Sequence, residues 1–444
     1  MGSLRWVPGT RPRDEGSPVL PFDVPWYRRL LGVAFVLGIA GGVLGLIYLG
    51  ATGWAIDKLF PPSDGTLWSG SWWWIPIVAI GGLVVAALRA MWKVPDKTPG
   101  GVPMIEAAEV DHTTASQWLA ITAVSALAGA SLGPSFALIL MGGGLGSWLA
   151  SRRWAEGGAD PDYTLTGIAG AFGGAFTSPI LGAFLVSELE PMPRQKYVAS
   201  IIPQLIASSI GFVIFYAVVG RTFLGSYDVP AYDFEPVHMA IAVLLGVLAA
   251  VVMLVFVLVI AIVKRLGALV PNRYALAVGG GTVVGFIAFA LPLTVGAGQS
   301  QLDVVIEDGT SLGIGLLLVV LVAKMVAMAL SLEVGFMGGN VFPMIFMGGT
   351  AGTIVFLAFP DVPLALAVSC MLAAVPGSFL KAPVSMVFIA AIALALGAET
   401  TAPVAVAVVT SYLLIGAIRF AASKARAARQ DAGDGGTGPA ASTA

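Results

Sequence analysis

Apolar residues run almost without interruption along most of the chain. Apolar stretches lie near 30–58, 72–92, 115–150, 164–190, 198–219, 237–263, 275–293, 313–330, 341–375 and 383–422. A helix crosses the hydrocarbon of a bilayer in about 20 residues. Several stretches exceed one crossing, and others are short or cut by Gly and Pro. The pattern predicts an all-α polytopic membrane protein with tilted, broken and re-entrant helices. Polar segments divide the chain further. Residues 1–26 form a proline-rich tail without the layout of a cleavable signal peptide. The segment 220–237, with Arg221, Asp228, Asp233, Glu235, Pro230 and Pro236, reads as a linker. It separates one membrane half, 27–225, from a second, 226–423. Residues 424–444 start basic and become Gly/Ala/Ser-rich, a disordered tail that need not fold.

The two halves share a pattern. GASLGPSFALILMGGGLG at 129–146 returns 206 residues later as GFMGGNVFPMIFMGGTAG at 335–352. SPILGAFLVS at 178–187 meets APVSMVFIAA at 382–391, an offset of 204. Two matched blocks in one order indicate a duplicated half, expected to fold as repeats of opposite membrane orientation. Laying 129–146 on 335–352 then carries 178–188 close to 382–392. In each lead block, glycines and a proline break the helix before an apolar run starts another. The break leaves unpaired N–H groups at the positive end of the new helix, which hold an anion without a basic side chain. Irregular backbone at membrane depth is tolerated where it lines a cavity or is buried in protein. Corresponding breaks in two halves point to a transport site. Close helix packing through small residues is the alternative reading of one such block.

Composition agrees with a membrane protein: 57% of residues are hydrophobic and 11% charged, and mean hydropathy is +0.91. The single cysteine, Cys370, excludes an intrachain disulfide, and His112 and His238 lie far apart. No metal or phosphate motif and no nucleophile–base constellation is present, so neither a metal, a cofactor nor enzymatic activity is expected, and nothing points to nucleic acid. Arg28 and Arg29 precede the first span, and Arg419, Lys424, Arg426 and Arg429 follow the last. By the positive-inside rule both termini are cytoplasmic, the plasma membrane being the expected location. Trp68 and Trp72–Trp74 read as an interfacial belt.

GFMGGNVFP at 335–343 resembles the GGIFxP signature of the CLC family of chloride channels and proton-coupled anion exchangers. GPSFA at 133–137 occupies the place of that family's GREGP, PGGVP at 99–103 resembles its GSGIP loop, and SELEP at 187–191 its EExxP stretch. The resemblance covers most of residues 28–422 and implies an inverted-repeat fold and a homodimer with one pore in each subunit. It implies an anion site lined by Gly100, Gly101 and Val102, by Gly133, Pro134, Ser135 and Phe136, and by Asn340, Val341 and Phe342. The helix starts near Val102, Ser135 and Val341 are then expected to converge on one cavity near mid-membrane. Short uncharged groups suit conduction, because an anion must also leave.

Departures from the family pattern bear on mechanism. Ser135 stands where the family has its gating glutamate, Gly100 where it has a pore serine, and its pore tyrosine has no counterpart. Among carboxylates in or beside apolar runs (Glu106, Glu109, Asp111, Glu188, Glu190, Glu333), Glu188 and Glu333 are the candidates for a proton relay. Glu188 matches the second Glu of EExxP, though a wet helix end explains it as well; Glu333 stands two residues before Gly335. Lys324, in mid-run, either raises the local potential for anions or snorkels to the interface. The expected function is passive transport of chloride, or another small anion, across the lipid bilayer. A proton-coupled antiporter using Glu188 or Glu333 is the alternative, and a non-conducting CLC-like scaffold is a further one of another class.

Overall fold

The computed structural model describes residues 22, 25–95, 100–153, 161–176, 178–190, 194–220 and 227–434. The N-terminal tail lies almost wholly outside these residues, as do Pro99, Arg221 and the last residues of the C-terminal tail. The described chain is helical: α1 Pro25–Leu59, α2 Trp74–Met91, α3 Gly101–Ala107, α4 His112–Leu127, α5 Ser135–Arg153, α6 Pro161–Ala175, α7 Pro179–Leu189 and α8 Arg194–Val219. There follow α9 Val237–Gly267, α10 Arg273–Ala290, a 3-10 turn Pro292–Thr294, α11 Gln299–Glu307, α12 Gly309–Glu333, α13 Val341–Ala358, α14 Leu364–Phe379, α15 Pro383–Ala393 and α16 Ala398–Asp434. Eight of these are long and apolar enough to cross a membrane. Starts are set locally by residues that satisfy or dispense with first-turn N–H groups. Asp111 accepts from Thr113 N (2.9 Å), Asn272 accepts from Tyr274 N (2.9 Å), and Pro161, Pro179 and Pro383 open their helices.

α1–α8 recur in order as α9–α16, and their packing recurs with them. α6 is held between α1, α5 and α8, as α14 is between α9, α13 and α16, while α2 packs on α10 and α7 on α15. α6 and α14 are buried along nearly their whole lengths. Small residues let backbones meet there: a Cβ on Gly142 would strike the Gly167 carbonyl, and vice versa. The outer faces of α1 and α9 leave Ile47 61% and Leu244 69% exposed, the apolar surface a bilayer covers.

The halves join by a reciprocal crossing. α4 and α12 end in the same Schellman turn, with Gly129 (φ 71°) and Gly335 (φ 94°) in the left-handed region that glycine adopts freely. Ala130 N donates to Ser125 O (3.1 Å) and Phe336 N to Ser331 O (3.1 Å). Each chain then crosses to the other half. Ser131 N donates to Ser331 Oγ (3.1 Å), and Met337 N donates to Ser125 Oγ (3.0 Å). Gly133 N donates to Gly339 O (2.6 Å), and Gly339 N to Gly133 O (2.7 Å), as an antiparallel bridge. Every pair maps onto its partner by the 206-residue offset. Exchange of bonds between equivalent residues is the signature of a two-fold relation. The fold is an inverted repeat, and 178–188 and 382–392 meet across it, with Phe184 and Phe388 edge to face at 6.0 Å.

Three sequence expectations need correction. The last helix continues to Asp434, ten residues past the expected tail boundary, because AASKARAARQ is composed largely of strong helix formers. Trp74 leaves the aromatic belt for the core, 2% exposed beside Phe60, while Trp68, Trp72 and Trp73 face outward. The described part of the linker runs without a helix up to α9 and is docked there: Tyr227 is buried and its N–H donates to Ala393 O (2.9 Å). Lys324 neither snorkels nor faces an anion path. It is fully buried, donating to Thr294 O (3.0 Å) and Gly296 O (2.7 Å) under the Phe346 ring.

Ser125→Ala and Ser331→Ala each strip the acceptor from a buried N–H of the other half. Each is expected to lower stability by about 1–3 kcal/mol, measured by thermal unfolding in detergent. The two-fold relation requires comparable losses; a silent member of the pair would show that the crossing is not shared equally.

Candidate functional site

The crossing fixes where two helices begin. α5 starts two residues after Gly133, and α13 two residues after Gly339, so both first turns face the same point from opposite sides. The start of α3 reaches the same place. Between them lies a cavity of about 230 Å³, walled by Gly100, Gly101 and Val102 from the start of α3, Ser135 and Phe136 from α5, and Asn340 and Val341 from α13. The first-turn N–H groups of these helices have no intrahelical acceptor. Pro103 and Pro343 occupy the third residue of α3 and α13, where a missing N–H costs the helix nothing.

The polar groups of the cavity are neutral. None of the described lining residues is charged. Ser135 is 4% exposed and opens its hydroxyl into the space beside Gly339. Asn340 sits at the cap position of α13, yet its side chain makes no cap hydrogen bond, and its buried Oδ1 has no partner. The remaining wall is apolar, with Leu185, Leu189, Leu332 and Leu380 beside the rings of Phe172, Phe176, Phe336 and Phe379. Such walls keep the local dielectric low, so the partial charges of three helix starts act over short distances with little screening.

The site residues read from the sequence divide into wall and support. Gly100, Gly101, Val102, Ser135, Phe136, Asn340 and Val341 line the cavity. Gly133, Pro134 and Phe342 are not on its wall. Gly133 is engaged by Gly339, and Phe342 packs over Gly133 and stacks on Phe176 (5.5 Å, 5° between planes). The two relay candidates lie apart from the cavity. Glu333, at the end of α12, faces Gly267 at the end of α9. Glu188 accepts hydrogen bonds at the start of α15. Sequence reasoning missed the four phenylalanines Phe172, Phe176, Phe336 and Phe379, whose apolar type is indistinguishable from core. It also missed Ser125 and Ser331, which a search at the same 206-residue offset, four residues upstream of the lead blocks, finds.

Comparison with known proteins places this geometry. A family model described as voltage gated chloride channel matches residues 104–416. An uncharacterised protein of Methanocaldococcus jannaschii is 27% identical over 347 residues, 73% of this chain and 78% of that one. YfeO of Salmonella typhimurium, named for ion transport, is 23% identical over 319 residues, 70% of this chain and 75% of its own. Among solved structures, a slow cyanobacterial Cl−/H+ antiporter superposes with a TM-score of 0.72 at 20% identity, over 88% of this chain and 95% of that one. A CLC-type fluoride/proton antiporter gives 0.69 at 17% identity, over 88% and 96%. The same fold is thus present in both.

Gly339→Ala would drive a methyl group into the Ser135 hydroxyl and the Phe136 N–H. The expected outcome is a loss of about 1–3 kcal/mol in stability from overpacking, together with loss of anion binding. Thermal unfolding and titration calorimetry on the same preparation read the two effects separately.

Proposed function

The chain belongs to the voltage-gated chloride channel family, and from that premise we propose that it passes a small anion, chloride first, down its own gradient through this cavity. Anion transport of the CLC type follows from the family; passive, proton-independent movement is our own reading. One observation carries it. Three uncharged helix starts converge on a cavity whose α5 face carries Ser135, where the family pattern has a carboxylate. Helix starts supply several weak ligands for an anion and no full positive charge, which suits entry and release alike. A serine hydroxyl stays neutral at physiological pH and offers the anion a donor. It neither competes with the anion as a tethered carboxylate would nor exchanges protons with bulk water.

Other observations support the reading. Glu333 and Glu188 both lie off the cavity wall, so neither relay candidate stands where an anion would meet it. The two solved structures named above are proton antiporters, whereas Ser135 gives this chain no carboxylate at the start of α5. A cavity lined by open first turns also disfavours a scaffold role, which has no use for unpaired backbone donors in a membrane. The unit we propose is a homodimer with one cavity in each subunit, as the resemblance to the family implies. Exposed Arg28 and Arg29 at the start of α1 and Arg419 and Lys424 on α16 favour cytoplasmic termini in a plasma membrane.

In liposomes, wild-type protein should dissipate a chloride gradient with no accompanying proton movement. Ser135→Glu should slow that flux at least several-fold at neutral pH, because a carboxylate occupies the helix-end site. The flux of the variant should recover as pH falls toward the ordinary glutamate value of about 4.3, since the protonated acid no longer competes. Wild-type protein that drives protons uphill on a chloride gradient would falsify passive transport.

A further inference from the structure

α7 and α15 are equivalent helices with unequal starts. Ser178 caps α7, its Oγ accepting from Leu181 N (3.2 Å). The equivalent residue of α15, 204 positions on, is Ala382, which has only a methyl group, and α15 has no side-chain cap of its own at that residue. The acceptor comes instead from the other half. Glu188, in the last turn of α7, places Oε1 on Val384 N (2.8 Å) and Oε2 on both Ser385 N (2.8 Å) and Ser385 Oγ (2.7 Å). All three donors belong to the first turn of α15. A carboxylate at a helix start gains both the charge-assisted hydrogen bonds and the positive end of the dipole.

What precedes this start makes the contact matter. Phe379 and Leu380, three and two residues before Ala382, line the cavity, as do Leu185 and Leu189 on either side of Glu188. Between Leu380 and Ala382 stands Lys381, whose Nζ pairs with Glu106 Oε1 (2.7 Å) at the end of α3. Lys381 is 64% exposed, so this pair alone is a weak tether. The α14–α15 junction is therefore held to the first half at two points, by Glu106 and by the stronger, three-bond contact of Glu188.

We propose that Glu188 is a positioning residue: its carboxylate supplies the cap that Ala382 lacks, and so fixes the Phe379–Leu380 wall of the anion cavity. The assignment replaces a proton-carrying role at this residue with a mechanical one. Its transport readout rests on the proposed anion function, whereas its structural readout does not.

The test compares full-length wild type, Glu188→Ala, Glu188→Gln and the double variant Glu188→Ala/Ala382→Ser, which gives α15 the local cap that α7 has. Hydrogen–deuterium exchange is followed across residues 376–390. Glu188→Ala should speed exchange roughly tenfold, the effect of losing a helix cap, both at Val384 and Ser385 and at Phe379–Lys381. Glu188→Gln, with one acceptor oxygen left, should fall between. The double variant should return both segments toward wild type. In liposomes, Glu188→Ala should raise the half-saturating chloride concentration several-fold, with a smaller change in maximal rate, and the double variant should restore it. Faster exchange confined to Val384 and Ser385 would show that the cap does not hold the wall, and would overturn the proposal. So would failure of Ala382→Ser to restore protection, or a wild-type proton flux that Glu188→Ala abolishes and Ala382→Ser does not restore. Wild-type protein without anion flux would remove the transport reading instead, with the exchange pattern still deciding the role of Glu188.

Discussion

Everything at the centre of this protein depends on how two broken helix ends pair inside a bilayer. α4 and α12 stop in the buried interior of the protein, where a carbonyl or N–H without a partner costs about 1–3 kcal/mol. The Schellman turns at Gly129 and Gly335 satisfy part of each end, and the crossing of Ser131–Gly133 with Met337–Gly339 pairs N–H groups of the segments that follow. No water is needed for any of these bonds. The same pairing aims α5 and α13 at one point, so the constraint that stabilises the break also creates the cavity. The cavity is a by-product of closing the backbone correctly.

This explains why so much of the architecture was legible in the sequence. The backbone conformations at the crossing demand glycine, and close approach of the paired strands excludes side chains, so the two blocks stayed alike enough to be read as a repeat. Ser135, Asn340 and Val341 could be placed because they follow those glycines at fixed distances. Other features carry no such mark. A capping carboxylate 196 residues from its helix start, a lysine satisfied by loop carbonyls, and a tryptophan turned from the belt into the core are decided by three-dimensional neighbours. Phe172 and Phe379 look like packing residues because they are packing residues as well. The extension of α16 was hidden for a different reason: charge and small size suggested a solvated tail, while helix propensity at Ala, Lys and Arg pointed the other way.

The two-fold relation is close in the backbone and loose in the side chains, and the differences fall in informative places. Ser135 opens α5 where Val341 opens α13, and Pro134 precedes α5 where Asn340 precedes α13, so the cavity has a hydroxyl on one face and an amide on the other. Ser178 caps its own helix where Ala382 does not. Lys324 stands where the first half has Trp118. A duplicated scaffold of opposite orientation would have two equivalent halves; these substitutions make the halves chemically distinct.

Lys324 also bears on how the chain is assembled. A lysine at the centre of an isolated helix raises the cost of entering a bilayer by roughly 2.5–3.5 kcal/mol, so α12 is a poor candidate to insert by itself. Its two carbonyl acceptors, Thr294 and Gly296, lie upstream and leave the ribosome first. Phe346, which covers the ammonium, follows 22 residues later. Synthesis thus delivers the acceptors, then the charge, then the lid. The second half is accordingly expected to enter the membrane as a group of helices, with α12 waiting at the lateral exit until the loop ahead of it can take its proton-bearing end.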